Sequence, residues 1–205
     1  MTYAFVLSWL AVMFPLVSSP GPANIVFAAS GANYGVKKSI PLMLGVEVVF
    51  FTKSLLIGFG LGTILENNLN LLGVLQLFGA AYLFYLAYGF FKPVLNNDLS
   101  KSKKLGFIDG IIIQFFNVKG WIMIVLMFSL FTAALPSYDK TTTVALLIVM
   151  LSILNLCTHL LWISSSAYIV KIFCKGENQK IQAIIFSISL ILVGIWFLWD
   201  NILFK

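Results

Sequence analysis

The sequence predicts an all-α integral membrane protein: six transmembrane helices arranged as two inverted three-helix repeats, with an interrupted first helix in each half. Three observations predict it. Of 205 residues, 60% are hydrophobic and 10% charged, with a mean hydropathy of +1.01, against about 25% charged in an ordinary soluble domain. So short a chain cannot hide that much apolar side chain from water, because much of any folded surface still faces its solvent. A cytosolic enzyme, a secreted disulfide scaffold and a disordered regulator are excluded on this ground. Second, the apolar residues fall in runs of the length a bilayer core requires, about 20 per helix. Third, the lysines gather in alternate gaps between those runs.

The first run is Tyr3–Ser19. It lacks the basic n-region and the small-x-small cleavage site of a signal peptide, so it reads as a retained helix. Pro20-Gly21-Pro22 follows, where two prolines remove backbone donors and a glycine permits a bend. Ala23–Tyr34 is apolar enough to resume as a helix before a Gly35–Lys38 turn. At about 1.5 Å per residue, Tyr3–Tyr34 is too long for one straight span, so a helix broken inside the membrane is expected. A plain turn at the membrane surface is the competing reading of the same residues.

The second span is Ile40–Gly62, with Ser39 and Pro41 marking its start, and Asn67-Asn68 forms the next turn. The third is Leu71–Phe91, stopped by Lys92-Pro93. Its tyrosines Tyr82, Tyr85 and Tyr88 form a packing stripe, and Gly73, Gly79, Ala80 and Ala87 suit close helix contact. The fourth span is Gly106–Leu135, interrupted at Asn117-Val118-Lys119-Gly120 and followed by a Pro136-Ser137 turn. The fifth is Val144–Ile172 and the sixth Ile181–Leu203. The whole chain, 1–205, reads as a single transmembrane domain. Its halves, about 1–92 and 105–205, are joined by the Lys-rich linker 92–105.

All thirteen basic residues are lysine, and the net charge is +6. A nucleic-acid partner would call for basic residues clustered on a polar face. Here they occupy short breaks, so no nucleic acid is expected and the partner is the lipid bilayer with its anionic headgroups. The first, third and fifth connections hold Lys37, Lys38, Lys92, Lys101, Lys103, Lys104, Lys171, Lys175 and Lys180, whereas the remaining connections and the termini hold Lys140 and Lys205. The positive-inside rule places the odd loops in the cytoplasm and both termini outside, with Tyr3, Trp196 and Trp199 at the outer interface. Three spans per half then give the second half the opposite orientation, as in the inverted repeats of secondary transporters.

Charge inside the apolar runs is costly and therefore informative. Asn117 and Lys119 fall mid-span at the second break, matching in depth the first break at Pro20-Gly21-Pro22. Paired interruptions are expected where discontinuous helices build a midplane binding site. Their helix N-termini would offer N–H groups and partial positive charge to a carboxylate, with Lys119 adding a full charge. Snorkelling of Lys119 to an interface is the bland alternative. Glu47, the only carboxylate well inside a span, is the candidate for proton coupling, paired with Lys119 or serving as a static tie. Glu47 and Lys53 cannot pair with each other, because facing positions on a helix are three or four apart. Asn155, Thr158 and His159 share about one turn of the fifth span. Histidine ordinarily changes charge near neutral pH, so His159 is either a packing hydrogen bond or a proton relay. A lone histidine cannot hold a metal, and no cofactor is called for. Cys157 and Cys174 are too far apart for a CxxC pair and read as small hydrophobes.

Taken together, PGPANIVFAASGANYG (Pro20–Gly35), Gly45 with Gly60, FGAAYLFYLAY (Phe78–Tyr88) and FIDGIIIQFFNVKGW (Phe107–Trp121) resemble the LysE/RhtB amino-acid exporters of bacteria over nearly the whole chain. The resemblance implies a six-span inner-membrane protein that expels amino acids or their derivatives, driven by the proton gradient. It marks Pro20, Gly21, Pro22, Asn24, Asn117 and Lys119 as functional. Two positions depart from the family pattern. Val118 stands where the family has proline, and Phe50 stands where many members carry aspartate, with Glu47 one turn earlier.

The expected function is therefore non-enzymatic export of a small zwitterion by alternating access. Its carboxylate would meet Lys119 and the helix N-termini at Gly21, Pro22, Asn24 and Asn117, and its ammonium would meet Glu47. Glycine-rich faces permit a homodimer. A cation or heavy-metal exporter would need several His, Cys or Asp ligands in the membrane. A thiol–disulfide carrier would need a reactive cysteine in each half, and both cysteines lie in the second. A hydrolase built on Ser164–Ser166 and His159 would lack an acidic orienter.

Overall fold

The computed structural model describes residues 2–61, 69–95, 104–173 and 178–203, and throughout them the chain is helical with short connections. Eight α-helices are present among the described residues: α1 Tyr3–Ser18, α2 Pro22–Tyr34, α3 Val36–Leu56, α4 Leu69–Leu95, α5 Phe107–Phe116, α6 Val118–Phe131, α7 Lys140–Phe173 and α8 Asn178–Leu203. The α3 helix runs on into a π-helical turn, Ile57–Leu61, in which Gly60 takes φ 139°, a value that an L side chain rarely adopts.

The expected break in the first span is present: α1 and α2 meet at 62° across Pro20-Gly21. The second break is equally sharp, 63° between α5 and α6, and is made by Asn117 alone. Val118 in place of the family's proline does not straighten it. The two unbroken stretches Val36–Gly60 and Lys140–Tyr168 are long and apolar enough to cross a bilayer, and so is each bent pair counted as one span. Within α4 and α8 the apolar segments among the described residues are shorter, Leu77–Lys92 and Ile184–Trp196.

Two boundaries differ from expectation. The Gly35–Lys38 turn contracts to Gly35, whose φ of 76° reverses the chain in one residue, so α3 starts at Val36 with Pro41 inside it. The α4 helix passes through Lys92-Pro93 to Leu95 rather than stopping there. Proline removes its own N–H from the ladder and crowds the carbonyl one turn back, and here that falls two residues from the helix end. The tyrosine stripe of α4 also divides. Tyr82 is partly buried and donates to Asp109 Oδ1 at 2.9 Å, whereas Tyr85 and Tyr88 are exposed. The Pro136-Ser137 turn is present between α6 and α7. Asp139 caps α7, accepting from the backbone N–H groups of Thr141 and Thr142 and from the Thr142 hydroxyl. Those donors hold its carboxyl below the usual carboxylate range. Outside the described residues lie the Asn67-Asn68 turn, the Gly62 end of the second span, most of the 92–105 linker, and the side chains of Cys174, Lys101, Lys103, Lys171, Lys175 and Lys205, together with the contact expected of Gly73.

Large apolar side chains cover the outer surface, unlike that of a soluble protein. Phe14, Phe51, Val149, Leu161 and Leu192 face outwards, as do Tyr3, Trp196 and Trp199, which suits lipid rather than water as solvent. Two buried apolar clusters fill the interior. One joins α1, α6 and α7 through Trp9, Met13, Ile124, Met127 and Leu147; the other joins α2, α3, α4 and α8 through Phe27, Leu42, Leu86 and Leu190.

Around the second cluster, glycines bring helices into backbone contact. A Cβ at Gly31 of α2 would lie 2.2 Å from the Ile163 carbonyl oxygen of α7, and one at Gly110 of α5 would lie 2.2 Å from that of Leu42 in α3. At Gly45 it would lie 2.0 Å from the Phe107 carbonyl oxygen. The predicted small-residue face of α4 is used too: Ala80 and Ala87 are buried, Ser187 of α8 donates to the Ala87 carbonyl at 3.0 Å, and Gly194 abuts the Phe84 ring.

Candidate functional site

The two breaks lie side by side at the junction of the two clusters. Ending a helix in an apolar interior leaves carbonyls without partners, and each break solves this with side chains from elsewhere. At the end of α1, Asn24 donates to the Val17 and Ser19 carbonyls, both at 2.9 Å, and the Trp162 indole donates to that of Ser18 at 3.3 Å. Lys119 reaches across from the second break and donates to the Ser19 carbonyl at 2.9 Å and to its hydroxyl at 2.8 Å. At the end of α5, the fully buried Lys53 ammonium donates to the Gln114 carbonyl and lies 4.2 Å from the centre of the Trp121 ring. The Trp121 indole donates to the Phe115 carbonyl at 2.9 Å. Each helix C-terminus, the negative end of its dipole, is thus met by a lysine from the other half of the chain.

The helix starts beyond the breaks differ. Gly21 supplies no side-chain cap to α2, and Pro22 has no N–H. The first-turn N–H groups of Ala23 and Asn24 therefore have neither an intrahelical acceptor nor a cap. At α6, Asn117 Oδ1 accepts from the Gly120 N–H at 3.4 Å, while its amide donates to Gln114 Oε1 at 3.1 Å.

Between the breaks lies a small cavity, partly open to the surroundings. Its polar lining comes from Asn24, Gln114, Asn117, Lys119, Asn155 and His159, and its apolar lining includes Val17, Phe50 and Met123. Gly21 forms part of the wall, and a Cβ there would sit 3.1 Å from Lys119 Cδ. Pro22 lines a smaller adjoining cavity that shares Asn117, and Pro20 is exposed. Glu47 stands one residue back from the main cavity, its Oε1 2.6 Å from Nδ1 of His159, which also packs on the Phe27 ring.

So the structure gathers Gly21, Asn24, Asn117, Lys119 and His159 around one space, places Glu47 behind His159 and leaves Pro20 at the margin. One expected pairing is corrected. Glu47 pairs with His159, not Lys119, because Lys119 is drawn to the carbonyls that the first break exposes. Ser166 turns its hydroxyl to the Trp162 and Ile163 carbonyls of its own helix, not to His159. Cys157 is exposed on the outer surface.

The sequence pattern gave no role to Ser19, Gln114 or Asn155 and named no partner for Lys53. A signal existed for Gln114: an amide three residues before Asn117, in an otherwise apolar run, can bond it directly. For the Ser19–Lys119 contact there was none, since its partners are 100 residues apart.

A family model described as LysE type translocator matches residues 14–201. The chain is similar to a cysteine/O-acetylserine efflux protein of Klebsiella pneumoniae, 24% identical over 87% of this chain and 90% of that protein. Proteins of the same description from Escherichia coli and Shigella flexneri are each 27% identical over 78% of this chain and 82% of theirs. No solved structure matches the chain.

Proposed function

The chain belongs to the LysE type translocators, and from that premise we propose that it is a secondary active exporter of small amino acids or their derivatives, coupled to protons and working by alternating access. The observation that carries this reading is the cavity shared by two broken helices, with a lysine and an uncapped helix start on its wall.

A zwitterionic amino acid suits that wall. Its carboxylate would accept from the α2 N–H groups and draw the Lys119 ammonium from Ser19, where the lysine already rests within reach of the cavity. Pro20, Gly21 and Pro22 would act by keeping that helix start open, and Asn24 and Asn117 by fixing the two bends. The substrate's ammonium would be attracted to Glu47. Glu47 and His159 share a hydrogen bond and can hold a proton between carboxylate and ring. Arrival of the ammonium would release that proton, and its departure would allow another to bind, which makes the exchange an antiport. The lysine distribution supports an orientation with the odd loops and the linker in the cytoplasm and both termini outside, and the family supports a bacterial inner membrane. Cysteine and O-acetylserine, named for the relatives, are the first substrates to test.

The test is transport by the purified protein in liposomes carrying labelled cysteine or O-acetylserine under an imposed pH gradient. Substrate movement that is lost on adding a protonophore is expected, together with at least a tenfold loss in Glu47→Gln. Movement of neither compound, nor of any other amino acid, would overturn the reading. Movement indifferent to the gradient and to Glu47→Gln would overturn the coupling alone.

A further inference from the structure

Asn155 is a polar residue of the cavity wall that the exporter reading leaves without a task. It sits mid-way along α7, one turn before His159, and is 2% exposed. Its side-chain nitrogen has no hydrogen-bond partner. A buried amide donor left unpaired is unfavourable, and native structures rarely keep one without a reason. The other polar side chains around the space are engaged: Asn24 with Val17 and Ser19, Asn117 with Gln114 and Gly120, Lys119 with Ser19, His159 with Glu47. One turn earlier on the same face, the Ser152 hydroxyl is unpartnered as well.

We propose that Asn155 reads the side chain of the substrate, donating its free N–H to a carbonyl oxygen there and so selecting small neutral amino acids with an ester side chain over alkyl ones of equal length. This rests on the exporter reading. The substrate's carboxylate is drawn to the charged side of the cavity, at Lys119 and the start of α2, which leaves the Asn155 side for the side chain. An oxygen that only accepts is the better fit, because Val17, Phe50 and Met123 offer nothing to take the proton of a hydroxyl. A site built to hydrogen-bond a substrate group rejects analogues that lack it, since its own buried group then stays unpaired.

The experiment compares O-acetylserine with norleucine, whose alkyl side chain has the same length and no acceptor, in liposomes holding the wild-type chain or Asn155→Leu. The wild type is expected to prefer O-acetylserine, and Asn155→Leu to lower the O-acetylserine to norleucine ratio about tenfold through loss of the O-acetylserine rate. If Asn155→Leu fails to fold, Asn155→Ala is read the same way. An unchanged ratio, or an equal loss for both compounds in a folded variant, overturns the inference while leaving the exporter reading intact. A wild type that moves neither compound nor any other amino acid overturns both.

Discussion

The two breaks bend the chain by nearly the same angle, 62° and 63°, yet are built from different chemistry. The first uses proline, glycine and proline, which forbid a continuous helix locally whatever surrounds them. The second is a single asparagine between apolar runs, with a valine after it. Its bend is held by a web of contacts: Asn117 to Gln114 and Gly120, Lys53 to the Gln114 carbonyl, and Trp121 to that of Phe115. The difference teaches that a broken helix needs partners for its orphaned backbone more than it needs a particular breaker. It also separates their roles. The first break leaves the α2 start without a side-chain cap, whereas the second uses its own amide to close the α6 start.

The comparison breaks most completely if the helices carrying the two bends are pried from their supports. Gly31→Ala and Gly110→Ala each drive a Cβ against backbone that cannot move aside, and each is expected to destabilise by about 3 kcal/mol or more. Thermal unfolding in detergent, followed by size-exclusion chromatography, checks this. Equal stability of either variant with the wild type would mean the close approach is not needed.

Lys119→Met removes the cation shared by the first break and the cavity. A charge-assisted hydrogen bond of about 1.5–3 kcal/mol corresponds to a transport loss of roughly tenfold to 150-fold, measured as initial rate in liposomes. Retention of full rate would place the carboxylate elsewhere. Gly21→Ala is a milder probe of the same contact, because the flexible Lys119 stem can yield a few tenths of an ångström. A rate reduction of severalfold with an unchanged melting temperature is expected.

Asn117→Ala sharpens the comparison from the other side. Loss of the α6 cap and of the Gln114 contact should cost about 1–2 kcal/mol, seen in the melting temperature, whereas Asn→Ala changes at exposed helix positions should be near neutral. Smallest of all is Val118→Pro. Position 118 is the first residue of α6, where proline's φ suits the helix and no N–H bond is given up. A shift within about 0.5 kcal/mol, with transport retained, is expected; a collapse in either would show that the second break depends on the valine side chain.

The membrane class, the helical spans and both breaks follow from residues close together in the chain. Apolar run length is set against bilayer thickness, and proline, glycine or mid-span asparagine disturbs the helix where it stands. What escaped was every pairing over distance. Glu47 and His159 are 112 residues apart, Lys53 and Gln114 61, and Lys119 and Ser19 100. Composition marks such groups as costly in an apolar interior but cannot say which will meet, because three or more are competing for few partners. Only the tertiary structure decided that Glu47 takes the histidine while both lysines take helix ends, and that Asn155 is left facing the cavity with a donor unspent. The physical reason is that burial forces each polar group to find a partner, and helix packing determines which partners lie within hydrogen-bond reach.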